Sequence, residues 1–232
     1  MVEHFYTILK EENAELVEKK SKFIAEIYNV SDKNEAENII KAVKKKYYDA
    51  KHHCIAYRIM DNGMITEKSS DDGEPSGTAG APMLNLLQGR ELCNVVVIVT
   101  RYFGGILLGT GGLVRAYTDV TRMAIEKCQL VCKVPGKTAE VELEYSSLEN
   151  FKYYCKNNDI NIIQIEYFED IKLIIEMEIS KEEKLVNDIE DKKISVISFV
   201  ELAGKMINKG INNWNKWKKI PKIYWNNINI VI

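Results

Sequence analysis

Five consecutive apolar residues, Val95-Val96-Val97-Ile98-Val99, sit between two glycine-bearing loops, and few folds accommodate that arrangement. A continuous β-branched run is the mark of a strand buried on both faces. Upstream lies an acidic loop, Ser70-Asp71-Asp72-Gly73-Glu74-Pro75-Ser76-Gly77-Thr78-Ala79-Gly80, followed by a short helical piece to about Leu87 with Thr78 as its expected N-cap. Downstream lies Arg101-Tyr102-Phe103-Gly104-Gly105-Ile106-Leu107-Leu108-Gly109-Thr110-Gly111-Gly112. Nine of the chain's 13 glycines fall between Gly73 and Gly112, where the backbone must bend through positive φ or admit a close neighbour. A long helix is expected next, about Gly112–Cys128, with Leu113, Ala116, Tyr117, Val120, Met123 and Ala124 on one side.

Strand, glycine loop and helix form an arrangement that can hold an anion at the helix N-terminus. No standard nucleotide motif supports that reading. Gly-Lys-[Ser/Thr] is absent, and the glycine spacing does not give G-x-G-x-x-G. Ile106-Leu107-Leu108 is expected to pack inward. The binding candidates are Asp71, Asp72, Glu74, Arg101, Gly104, Gly105, Thr110, Gly111 and Arg115. The three carboxylates could hold a magnesium ion, hydrogen-bond the loop's own amides, or pair with Arg101. His52-His53-Cys54 invites a metal reading, but neighbouring strand residues face opposite ways and no second ligand pair at zinc spacing follows. A histidine hydrogen-bonded to the acidic loop is the preferred account. No metal and no cofactor are expected.

The first 50 residues read as strands at Phe5–Leu9 and about Lys19–Tyr28, then a helix from Ser31-Asp32 through about Lys46. Its polar face carries Lys41, Lys44, Lys45 and Lys46. His52–Ile59 and about Met64–Lys68 read as a hairpin joined at Asp61-Asn62-Gly63. Val134-Pro135-Gly136 is the linker candidate. Beyond it the order is strand (138–144), helix (146–157), strand (160–168), strand (171–179), helix (181–192, capped by Ser180) and strand (194–202), a split βαβ unit.

The net charge of −2 is unevenly spread. Residues 1–135 balance, residues 136–204 carry eight basic and 16 acidic side chains, and residues 205–232 carry six lysines and no acids. Nucleic-acid binding would therefore need a local patch. The tail also holds Trp214, Trp217 and Trp225. It reads either as a basic aromatic arm or as an extension outside the main fold. Five cysteines without framework spacing, and no signal peptide or membrane-spanning run, suggest a cytoplasmic protein without membrane contact. Cys128 and Cys132 read as packing residues.

Four stretches, Lys20–Ala25, His52–Cys54, Ser70–Gly80 and Arg101–Tyr117, together resemble the Impact family in its bacterial, YigZ-like form, over about residues 1–130. The resemblance implies an α+β chain. Its N-terminal domain (1–134) would be of the ribosomal-protein second-domain type, and a ferredoxin-like βαββαβ domain (137–204) would follow. It also implies a role in translation, since eukaryotic relatives are tied to translation control. The expected function is thus a translation-associated regulatory protein binding ribosome or RNA, with Arg101, Arg115 and the lysines of 41–46 facing phosphate. An enzyme acting on a small phosphorylated ligand with Mg²⁺ and a protein-interaction module are the alternatives.

Overall fold

The computed structural model describes residues 4–61 and 64–212, so the turn at Asn62-Gly63 and all three tryptophans lie outside the described residues. The chain divides into two compact units, the first ending at Cys132 and the second spanning Lys133–Lys209.

The first unit opens with β1 (Phe5–Ile8), then β2 (Glu12–Glu18), β3 (Ser21–Asn29), α1 (Lys33–Lys46), β4 (His52–Asp61) and β5 (Met64–Ser70). It continues through α2 (Gly80–Gly89), β6 (Val95–Tyr102) and α3 (Gly109–Lys127). A five-stranded sheet runs in the order β2-β3-β6-β4-β5, with every neighbour antiparallel. β6 is central and its alternation explains the unbroken apolar run. Val95, Val97 and Val99 join the core beneath α2 and α3, whereas Val96 and Ile98 join the core beneath α1. α1 starts as its sequence suggests: the Asp32 carboxylate accepts from the Glu35 N–H at 2.9 Å.

The strand expected over Lys19–Tyr28 begins at Ser21, and the sequence pattern marks neither β2 nor the hairpin that joins it to β3. Lys19 and Lys20 turn this hairpin with φ of 43° and 66°, a conformation usually given to Asn-Gly. α2 also differs from expectation. Thr78 is not its cap; the helix has no side-chain cap from its own N-cap residue, Ala79. The helix α3 begins at Gly109, three residues earlier than expected.

Val134-Pro135-Gly136, expected as a linker, follows directly on the Cys132–Lys133 division between the units, but it is no loop: it lies inside β7 (Leu130–Leu143). Pro135 stands one residue before the pairing with β9 begins at Gly136, so its missing N–H removes no bond from that ladder. A 3-10 turn (Tyr145–Ser147), α4 (Leu148–Asn157), β8 (Asn161–Tyr167), β9 (Ile171–Glu178), α5 (Glu182–Glu190) and β10 (Ser198–Asn212) complete the second unit. The second sheet has five strands, of which β10-β7-β9-β8 run in the order of a ferredoxin-like βαββαβ fold, as the strand–helix order and the resemblance both implied; the fifth, β1, also pairs with β7. Ser180 does not cap α5; it belongs to the 3-10 turn Ile179–Lys181 before it. The last strand runs ten residues further than 202, so the start of the basic tail belongs to the sheet. Lys205 and Lys209 pair there with Glu176 and Glu178 of β9 at 2.8 and 3.0 Å.

Candidate functional site

The register places one end of the first sheet at the centre of interest. Arg101 of β6 lies opposite Phe23 of β3 and His52 of β4, so the acidic loop, the glycine loop and the Lys19-Lys20 turn all gather there. The three carboxylates of the acidic loop do not converge on a common point. Asp71 accepts from the N–H groups of Gly77, Ala79 and Gly80 at 2.8–2.9 Å, and so satisfies the orphan donors at the start of α2. Asp72, at φ 44°, takes Lys44 Nζ at 2.8 Å and the His53 N–H at 2.7 Å. Its own carbonyl lies 2.8 Å from His52 Nδ1. Glu74 is buried against Arg101 (2.6 Å) and the Tyr117 hydroxyl of α3 (2.8 Å).

Burial alone would push the Asp71 and Asp72 carboxyls up. The three amides on Asp71, and Lys44 with the His53 amide on Asp72, outweigh it and hold both below the ordinary carboxylate value. The unfolded value is about 3.9. A depressed folded value gives stability that is complete above that pH and lost as the pH falls through the folded value. The stability advantage of wild type over Asp71→Asn and Asp72→Asn, read from urea unfolding, should therefore shrink from about pH 5 to about pH 2. A pH-independent difference would contradict the assignment.

Arg101 forms the other half of the network. It donates to Glu74 Oε1 and, at 3.3 Å, to Ser21 Oγ, and its guanidinium lies 5.3 Å from the Phe23 ring centre and 5.6 Å from that of Phe103. Ser21 Oγ also accepts the Gly104 N–H at 3.2 Å. A Cβ at Gly104 would fall 2.0 Å from the carbonyl carbon of Lys20, so only glycine fits beside the hairpin turn. Beneath this, burial pushes the Cys54 thiol up to about 12, helped by the nearby Glu74, Asp72 and Asp71 charges and opposed by Tyr117. That thiol is inert. All five cysteines are buried thiols, Cys128 and Cys132 included. Among the described residues no group of three or more His, Cys, Asp or Glu could hold a metal ion.

The sequence leaves the roles of these acids open, and it does not single out Lys44 and Tyr117 as their partners, or Ser21 as the partner of Arg101. Ser21 stands inside the Lys20–Ala25 stretch and Tyr117 ends the Arg101–Tyr117 stretch, while Lys44 is one of four lysines on the polar face of α1; nothing in the spacing pairs them with these groups. What remains outward-facing is different in kind. Gly105 and Gly109 take φ of 82° and 75°, and Gly111 has open space where a side chain would go. Gly109, Thr110 and Gly111 form an exposed first turn of α3 without a side-chain cap. Contrary to expectation, Ile106 and Leu107 face solvent, and only Leu108 packs against the core. Phe103 is 47% exposed. Arg115, Lys19, Lys20, Lys45 and Lys51 are exposed, and none has an acidic partner among the described residues. Glu18 is the exposed acid of the neighbouring turn. The depression of about 550 Å³ on the second unit contains none of these residues; its Asp188 is paired with Lys193 at 2.8 Å.

Comparison with known proteins supplies the family. The model for the Impact N-terminal domain matches residues 19–125, which include all four stretches singled out above, and that for a domain of unknown function (DUF1949) matches residues 141–192. IMPACT family member YvyE of Bacillus subtilis is 36% identical over 187 residues, covering 81% of this chain and 84% of that protein. The chain belongs to the IMPACT family. IMPACT family member YigZ of Escherichia coli is likewise 36% identical, over 64% of this chain and 74% of its own. A crystal structure described as that of a hypothetical protein superposes with a TM-score of 0.58 at 29% identity, over 88% of this chain and 99% of that one. A structure of the "two-domain translational regulator Yih1" overlaps 51% of this IMPACT-family chain and 47% of its own, at 27% identity and a TM-score of 0.37. No helix among the described residues is long and apolar enough to cross a membrane.

Proposed function

We propose that this IMPACT-family protein is a translation-associated regulator that docks on the ribosome, through its RNA, at the Gly104–Arg115 end of the first unit. One observation carries the reading. The three carboxylates of the acidic loop are consumed internally by amides, Lys44 and Arg101, whereas Lys20, Lys45, Lys51 and Arg115 are left without acidic partners among the described residues, against Glu18 as an exposed acid nearby. The unspent charge is therefore mostly positive, on a chain whose overall charge is −2.

Each part has a role suited to RNA. Exposed lysine and arginine neutralise phosphates and release counterions. The uncapped first turn of α3 offers N–H groups to a phosphate oxygen. The Phe103 ring, held against Arg101, offers a stacking surface for an unpaired base. Arg101 itself, offered by its sequence position as a phosphate contact, serves better as the support under that ring. The Mg²⁺ alternative loses its basis, because Asp71, Asp72 and Glu74 point to separate partners.

Sucrose-gradient fractionation of lysate at low salt tests the proposal. The protein should travel with ribosomal fractions and be released as salt rises. Complete absence from those fractions, with no retention of ribosomal RNA by the purified protein, would sink it.

A further inference from the structure

We propose that the second unit binds an arginine-rich protein segment on the aromatic surface formed by Tyr145, Tyr167 and Phe168. These side chains are 54%, 59% and 61% exposed, although each is large and mainly apolar. Tyr145 stands in the 3-10 turn before α4, Tyr167 ends β8, and Phe168 opens the turn into β9. The Tyr145 and Tyr167 rings lie 6.4 Å apart with their planes tilted by 35°. The Tyr145 hydroxyl donates to the Phe168 carbonyl at 2.8 Å, which ties the two segments together. Scattered exposed apolar residues need no explanation, but two exposed rings held side by side, with a third exposed aromatic next in the chain whose backbone is tied to them, mark an interaction surface.

The charge around the rings selects the occupant. Glu144, Glu169 and Asp170 are sequence neighbours of these aromatics, and none has a lysine or arginine partner among the described residues; Glu166 points to the other face of the sheet, where Lys172 stands opposite it. The nearby cation, Lys152, is held by Glu149 at 2.8 Å. An anionic aromatic surface repels a phosphate backbone and attracts a cation with a flat face. Guanidinium fits both features, stacking on the rings while forking to carboxylates; an ammonium group lacks the planar match. This surface stands apart from the RNA reading of the first unit, so failure of either leaves the other intact.

The test uses the full chain and two fluorescein-labelled peptides, nona-arginine and nona-lysine, followed by anisotropy. Nona-arginine should bind more tightly than nona-lysine. Tyr167→Ala and Phe168→Ala should each weaken nona-arginine binding about two- to fivefold, with little change for nona-lysine. Glu169→Gln combined with Asp170→Asn should weaken both peptides. Circular dichroism should show each variant folded, as expected for exposed positions. Equal affinity for the two peptides overturns the proposal. So does nona-arginine affinity that survives Tyr167→Ala and Phe168→Ala unchanged, or a loss of RNA retention in those variants.

Discussion

Glu74→Ala should cost the first unit about 3–5 kcal/mol of stability, because it removes one partner of a buried ion pair and leaves the other behind. The Glu74 and Arg101 side chains are 3% and 6% exposed. Arg101 Nε already lacks a partner, so loss of Glu74 leaves this guanidinium with Ser21 alone. The Tyr117 hydroxyl loses its acceptor in the same step. Burial already holds the Tyr117 phenol well above its usual value, aided by the neighbouring Cys54 and Glu74, so it cannot relieve the loss by ionising. Replacing both members, Glu74→Leu with Arg101→Met, should recover most of the deficit, since what is costly is a charge left unpaired. Urea unfolding followed by circular dichroism reads both effects. A loss below about 1 kcal/mol for Glu74→Ala would mean that the pair is hydrated or dispensable.

Gly104→Ala should be nearly as damaging, by about 3 kcal/mol or more, the upper range for overpacking. The added methyl would sit 2.0 Å from Lys20 C and 2.4 Å from the Ser21 N–H nitrogen. These are backbone atoms of a tight hairpin turn and cannot rotate away. Either the turn retreats and Ser21 loses its bonds to Arg101 and Gly104, or β6 shifts against β3. Gly111→Ala provides the contrast. Its Cβ would meet open space in the first turn of a helix, and alanine there should be neutral or slightly stabilising. Equal thermal midpoints for Gly104→Ala and Gly111→Ala would refute the distinction.

Much of the fold is written locally. The Val95–Val99 run announces a doubly buried strand, Asp32 announces α1, and the alternation of strands and helices after Leu130 announces the second unit. What local pattern could not show depends on contacts between distant residues. Lys19-Lys20 gives no turn signal, because only the close approach of Gly104 fixes that hairpin. Thr78 has the chemistry of a cap, yet Asp71 reaches the α2 amides first and Thr78 turns its hydroxyl to the Pro75 carbonyl at 2.7 Å. Pro135-Gly136 looks like a break, yet Gly136 lies where Ile207 of β10 packs across the strand. The acidic loop is the hardest case. Three carboxylates in four residues look alike in sequence, and only the fold gives Asp71 an amide cluster, Asp72 a lysine and Glu74 an arginine.

The family motifs therefore divide into two sets. Asp71, Asp72, Glu74, Arg101 and Gly104 build the end of the sheet, while Lys20, Arg115 and the first turn of α3 present it. Salt titration of ribosomal-RNA binding by filter retention separates these roles most directly. Lys20→Gln with Arg115→Gln should leave urea stability unchanged and flatten the log–log salt slope by about 2, roughly one unit for each phosphate no longer neutralised. An unaltered slope in that folded double variant would contradict the account.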